Sequence, residues 1–74
     1  MFMPVQILVF RTNIRSITKA LRVCNNLLNA GLVFKATIDM SDCDRVLRVV
    51  TQRATNHDIE QAVKAMGVSI DELL

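Results

Sequence analysis

A two-layer α+β sandwich is the fold class the sequence predicts, and three observations predict it. Apolar runs rich in β-branched and aromatic residues at 5–10, 32–40 and 45–50 read as strands. Two longer segments, 14–30 and 55–66, repeat their apolar positions at helical spacing. At 74 residues, 51% of them hydrophobic, the chain has room for one shallow core, so a single domain over residues 1–74 is expected and a deep enzymatic cleft is not.

The first run, VQILVF, carries apolar residues on both alternating faces, as a central strand does. Pro4 stands just before it, where a missing amide costs little. From residue 14 the period becomes helical. Ile14, Ile17, Ala20, Leu21, Cys24, Leu27 and Leu28 fall on one face, while Arg15, Lys19, Arg22 and Asn26 gather opposite. Asn13 or Ser16 can cap the start, and Gly31 can take a left-handed position after the end. Cys24, in the middle of the apolar stripe, is expected to be buried.

In LVFKATIDM, Phe34, Ala36, Ile38 and Met40 alternate with Lys35, Thr37 and Asp39, the pattern of a half-buried strand. The turn residues of MSDCD and the run RVLRVV complete a hairpin whose register the turn does not specify. Thr55 with Asp58 three residues later is a variant capping box for the second helix, Asn56 being the alternative cap. Its inner face is Ile59, Ala62, Val63 and Met66; Glu60 and Lys64 can pair on the wet side, and Gly67 ends it. Residues 68–74 are left for a short last strand or a tail. The order strand, helix, strand, strand, helix, with right-handed crossovers, puts both helices on one side of an antiparallel sheet. This is the ferredoxin-like βαββα arrangement with an optional final strand.

Charge is unevenly placed. Arg11, Arg15, Lys19, Arg22 and Lys35 all precede Asp39, the first acidic residue, so the net charge of +2 hides a basic first half and an acidic second half. No run approaches the length of a membrane span, and MFMPVQILVF lacks the basic start of a secretory signal. A soluble cytoplasmic protein with no membrane contact is expected. Cys24 and Cys43 then read as free thiols rather than a disulfide.

The strand-loop-helix opening, the hairpin containing DCDRVLRV and the closing HDIEQAVKAMGVSIDEL resemble the heavy-metal-associated domain superfamily, which includes small copper chaperones. The resemblance covers nearly the whole chain in organisation. In that family the first loop carries Met-x-Cys-x-x-Cys, whose thiolates bind copper(I) or another soft metal. The equivalent region here is Thr12, Asn13, Ile14, Arg15, Ser16 and Ile17. Hydroxyl and amide groups do not replace thiolates for a soft ion, and Arg11 and Arg15 repel one. The family's ligands therefore carry over to no residue of this loop, and no metal or other cofactor is expected there.

Other chemistry is thinly supported. Cys24, Cys43 and His57 fit no zinc spacing. Asp42 and Asp44 read as an exposed turn rather than a cation site. Ser16 and Ser41 lie in no nucleophile turn, and His57 is the sole imidazole, so no catalytic residue is assigned and an enzyme is not expected. Arg15, Lys19 and Arg22 form a basic row that can face phosphates or an acidic protein. Phe2, Phe10 and Phe34 do not supply a base-stacking pair, which disfavours nucleic acid.

The stronger feature is the sheet face away from the helices. Placing Leu47 and Val49 inward turns Val46, Arg48 and Val50 outward, and the first strand must add an apolar set, either Val5, Ile7 and Val9 or Leu8 and Phe10. Contiguous exposed valines and isoleucines mark contact surfaces. The expected function is a non-catalytic protein-interaction or assembly module, contacting another protein or a second copy through Val5, Ile7, Val9, Val46, Arg48 and Val50. A metal or small-anion site of another kind is the alternative, and a nucleic-acid adaptor the third.

Overall fold

The computed structural model describes residues 4–41 and 43–73. In chain order the elements are β1 (Gln6–Thr12), α1 (Ile17–Asn29), β2 (Lys35–Asp39), β3 (Val46–Thr51), α2 (Asn56–Lys64) and β4 (Ile70–Glu72). The four strands form one antiparallel sheet in the order β2-β3-β1-β4, giving a small α+β fold with two helices. Residues 70–72 thus form the last strand, paired with the end of β1 through Thr12 and Ile70. No helix among the described residues is long and apolar enough to cross a membrane.

Register decides which side chains are covered. Leu8 pairs with Val49 and Phe10 with Leu47, and Ala36 and Ile38 lie beside the same two β3 residues from the other side. These residues pack with Ala20, Val23 and Leu27 of α1 and Ile59 and Val63 of α2 in one core. The opposite parity sends Ile7, Val9, Arg48, Val50, Lys35, Thr37 and Asp39 to the other sheet face.

The helix ends follow their capping chemistry. Ser16 caps α1, its Oγ accepting from the Lys19 N–H at 3.0 Å. Thr55 caps α2 in a complete capping box: Asp58 N–H donates to Thr55 Oγ1, and Thr55 N–H donates to the Asp58 carboxylate. Gly31 and Gly67, at φ 73° and 80°, take the left-handed positions past the two helices.

Three expectations are corrected. The first helix begins at Ile17 rather than at residue 14, because Ile14 enters the core from the preceding loop. Its inner face centres on Ala20, Val23 and Leu27, so the helix is turned toward Val23 and away from Ile17, Leu21 and Leu28, which stay exposed. Phe34 precedes β2 and is exposed rather than inward, although its N–H donates to Val50 O at 2.7 Å.

Two buried threonines tie strand ends to neighbouring loops. Thr51 Oγ1 donates to Leu32 O at 2.7 Å and accepts from the Ala54 and Arg53 N–H groups. Thr12 Oγ1 donates to Arg45 O at 2.8 Å and accepts from Ile14 N–H. Among the described residues no buried side-chain nitrogen or oxygen is without a partner.

Candidate functional site

The loop between β1 and α1 is occupied with holding the fold together. Thr12 bonds the lead-in to β3, and Asn13 bonds the lead-in to β4: Ser69 N–H donates to Asn13 Oδ1 at 3.1 Å and Asn13 N–H to Ser69 O at 3.3 Å. Ile14 is buried, Ser16 caps the helix, and Arg15 and Ile17 face outward. Every oxygen-bearing side chain of this loop therefore has a structural task that a bound ion would interrupt.

The thiols and the imidazole lie on separate elements. Cys24 is half-buried on α1, Cys43 is exposed in the β2–β3 turn, and His57 is exposed in the first turn of α2. Among the described residues no three His, Cys, Asp or Glu side chains gather as a metal would require. Asp42 lies outside the described residues, as does Phe2.

Burial pushes the Cys24 thiol above its usual pKa, because the protein around it solvates a thiolate poorly. The folded state thus favours the protonated thiol. This preference leaves stability unchanged below the ordinary thiol range and lowers it as pH rises through the raised value. Iodoacetamide at mildly alkaline pH is expected to label Cys43 well before Cys24, with the two rates converging in denaturant. Equal rates in the native protein, read by peptide mass spectrometry, would contradict the half-buried placement of Cys24.

The basic row is split. Arg15 and Arg22 are exposed, but Lys19 Nζ donates to Met66 O at 3.1 Å and ties α1 to the residues after α2. Asn26 makes a second tie there, to the Met66 sulfur. What looks in projection like a continuous cationic stripe is two exposed cations flanking a tie from α1 to the turn after α2.

On the open sheet face, Val5 and Ile7 are exposed, Ile7 by 66%, and Val9 and Val50 are half-covered around exposed Arg48. Val46 corrects the expectation for this face: it points away from the helices but is only 4% exposed. Its cross-strand neighbour is Asp39, and continuing the β1–β3 register by one pair places Arg11 on its other side. An arginine beside a valine covers it with its aliphatic stem. The exposed apolar patch is accordingly smaller than the six positions expected for a contact surface, and centred on Val5 and Ile7.

The structure has a second apolar surface, outside the open sheet face. Ile17, Leu21, Cys24 and Leu28 form the flank of α1 that overhangs β2, and with Ala36 and Ile38 they line an open groove of about 380 Å³. Ile17 is 68% and Leu21 59% exposed. The signal was present in the width of the apolar arc. Ile17, Ala20, Leu21, Val23, Cys24, Leu27 and Leu28 together exceed the stripe that one sheet can cover, so one flank remains in water. No family model matches the chain, and no curated protein matches it.

Proposed function

We propose that this protein is a small non-catalytic interaction or assembly module. In this reading it is a ferredoxin-like sandwich, a divergent relative of the heavy-metal-associated domains without their soft-metal loop, working in the cytoplasm. One observation carries the reading: large aliphatic side chains remain in water as two groups, Val5 with Ile7 on the sheet and Ile17 with Leu21 and Leu28 on α1. A chain this short has little apolar surface to spare from its core, and grouped exposure of this kind favours a partner. The loop chemistry agrees, since hydroxyl and amide groups engaged in backbone bonds offer a soft ion nothing.

The test pairs sedimentation equilibrium with metal titration. In the presence of a chelator the wild-type chain is expected to associate as concentration rises, and Ile7→Lys or Leu21→Lys to weaken that association. Copper(I) and zinc are expected to bind no more tightly than they bind Cys24→Ser or Cys43→Ser. One tightly held ion per chain, lost in either serine variant, would overturn the reading in favour of a metal site.

A further inference from the structure

The edge of the sheet adds something that the two apolar groups alone do not. Strand β2 is the last in the order β2-β3-β1-β4, so among the described residues no strand lies along its outer side. Which backbone groups point there follows from the ladder. Phe34 N–H reaches Val50 O, so Val50 turns its backbone toward β2; in an antiparallel pair alternate residues do the same, which assigns Arg48 and Val46 to that side as well. Their partners Lys35, Thr37 and Asp39 therefore spend their N–H and C=O groups on β3. Ala36 and Ile38 direct theirs outward.

The sequence of β2, Lys35-Ala36-Thr37-Ile38-Asp39, is complementary to itself when reversed. Set antiparallel to a second β2 with Thr37 opposite Thr37, it places Lys35 across from Asp39 at both ends. The outward groups of Ala36 meet those of Ile38, making the hydrogen-bonded pairs. Lys35 and Asp39 fall at the pairs without hydrogen bonds, where side chains approach more closely. A small residue faces a larger one on the helix side of the sheet. Shifting the register by two residues either way keeps the backbone pairing but puts Lys35 or Asp39 opposite Thr37, so charge selects the centred alignment.

We propose that two copies of this chain join through β2 about a twofold axis at Thr37, forming one continuous eight-stranded sheet. The proposal rests on the interaction-module reading and names the partner. That axis keeps all four helices on one side and brings the two α1 flanks together over the junction, so Ile17, Leu21 and Leu28 of each copy cover the other's groove. Short-strand pairing alone is marginal in water, and the apolar flanks supply the burial it lacks. Asp39 already accepts from the Ser41 N–H and Oγ, and a carboxylate has acceptor sites for a lysine in addition.

Charge reversal tests the alignment directly. Lys35→Asp and Asp39→Lys each put like charges opposite at both ends, and each alone is expected to weaken the dimer at least about tenfold by sedimentation equilibrium. Mixed in equal amounts, the two variants carry complementary edges and are expected to form a heterodimer with near wild-type affinity. The chain bearing both reversals is expected to pair with itself again. Thermal melts establish that each variant is folded. A wild-type chain that stays monomeric up to about 1 mM would overturn the proposal. So would a dimer indifferent to both single reversals, or a mixture no tighter than either variant alone; in those two cases the contact lies elsewhere and the interaction-module reading still stands.

Discussion

Phe10→Ala is expected to lower folding stability by about 3–5 kcal/mol, the range for truncating a fully enclosed aromatic ring. Phe10 is 0% exposed, in the central strand, paired with Leu47 on one side and Glu72 on the other. Its ring belongs to the core shared by both helices and the sheet, so no neighbouring element can relax into the space without disturbing another. A domain whose whole stability is on the order of 5–15 kcal/mol would be left close to unfolding. Urea denaturation followed by circular dichroism reads the loss. Ile7→Ala, on the same strand with opposite parity, is expected to cost under about 1 kcal/mol at concentrations where the chain is monomeric. Comparable losses at the two positions would mean that the helices cover the other face.

Thr51→Val is the second large effect, expected at about 2–3 kcal/mol. The substitution preserves shape and adds hydrophobicity, which on burial alone would be neutral or favourable. It removes the hydroxyl that receives the Ala54 and Arg53 N–H groups and donates to Leu32 O, leaving polar backbone groups without that partner. Thr51→Ser keeps all three bonds and loses a methyl group, a cost of about 1 kcal/mol. The expected ranking in denaturant midpoint is wild type, then serine, then valine. Valine above serine would show that packing, not hydrogen bonding, holds the β3–α2 connection.

These two residues also mark what was readable in advance. Strand β3 was legible because Leu47 and Val49 alternate with Arg48, and α2 because Thr55, Asp58 and Gly67 punctuate it at both ends. The sheet parity of Val5, Ile7 and Val9 was one of two options, and pairing with β3 selects it. The rotation of α1 was not legible. Seven apolar positions span its sheet-facing side and flank, and only contact with β2 and α2 decides that Ala20, Val23 and Leu27 go in. The covering of Val46 was missed for a related reason: a pattern of alternation describes the direction of a side chain, not what its neighbours' stems do above it. For the candidate contact surfaces, the open face was visible from strand periodicity alone, whereas the β2 edge required knowing which strand ends the sheet.

The central pair of the sheet, β1 with β3, joins Gln6 to Thr51 across most of the chain. The pairing that encloses Phe10 therefore cannot form by local zippering. The β2–β3 hairpin and the two capped helices can sample their structures early, but the entropy of closing that long segment must be met before the central strand contributes anything. Speed of folding in this protein is set by a distant encounter, and local sequence changes that strengthen a helix or turn will alter how long the folded state lasts more than how quickly it is reached.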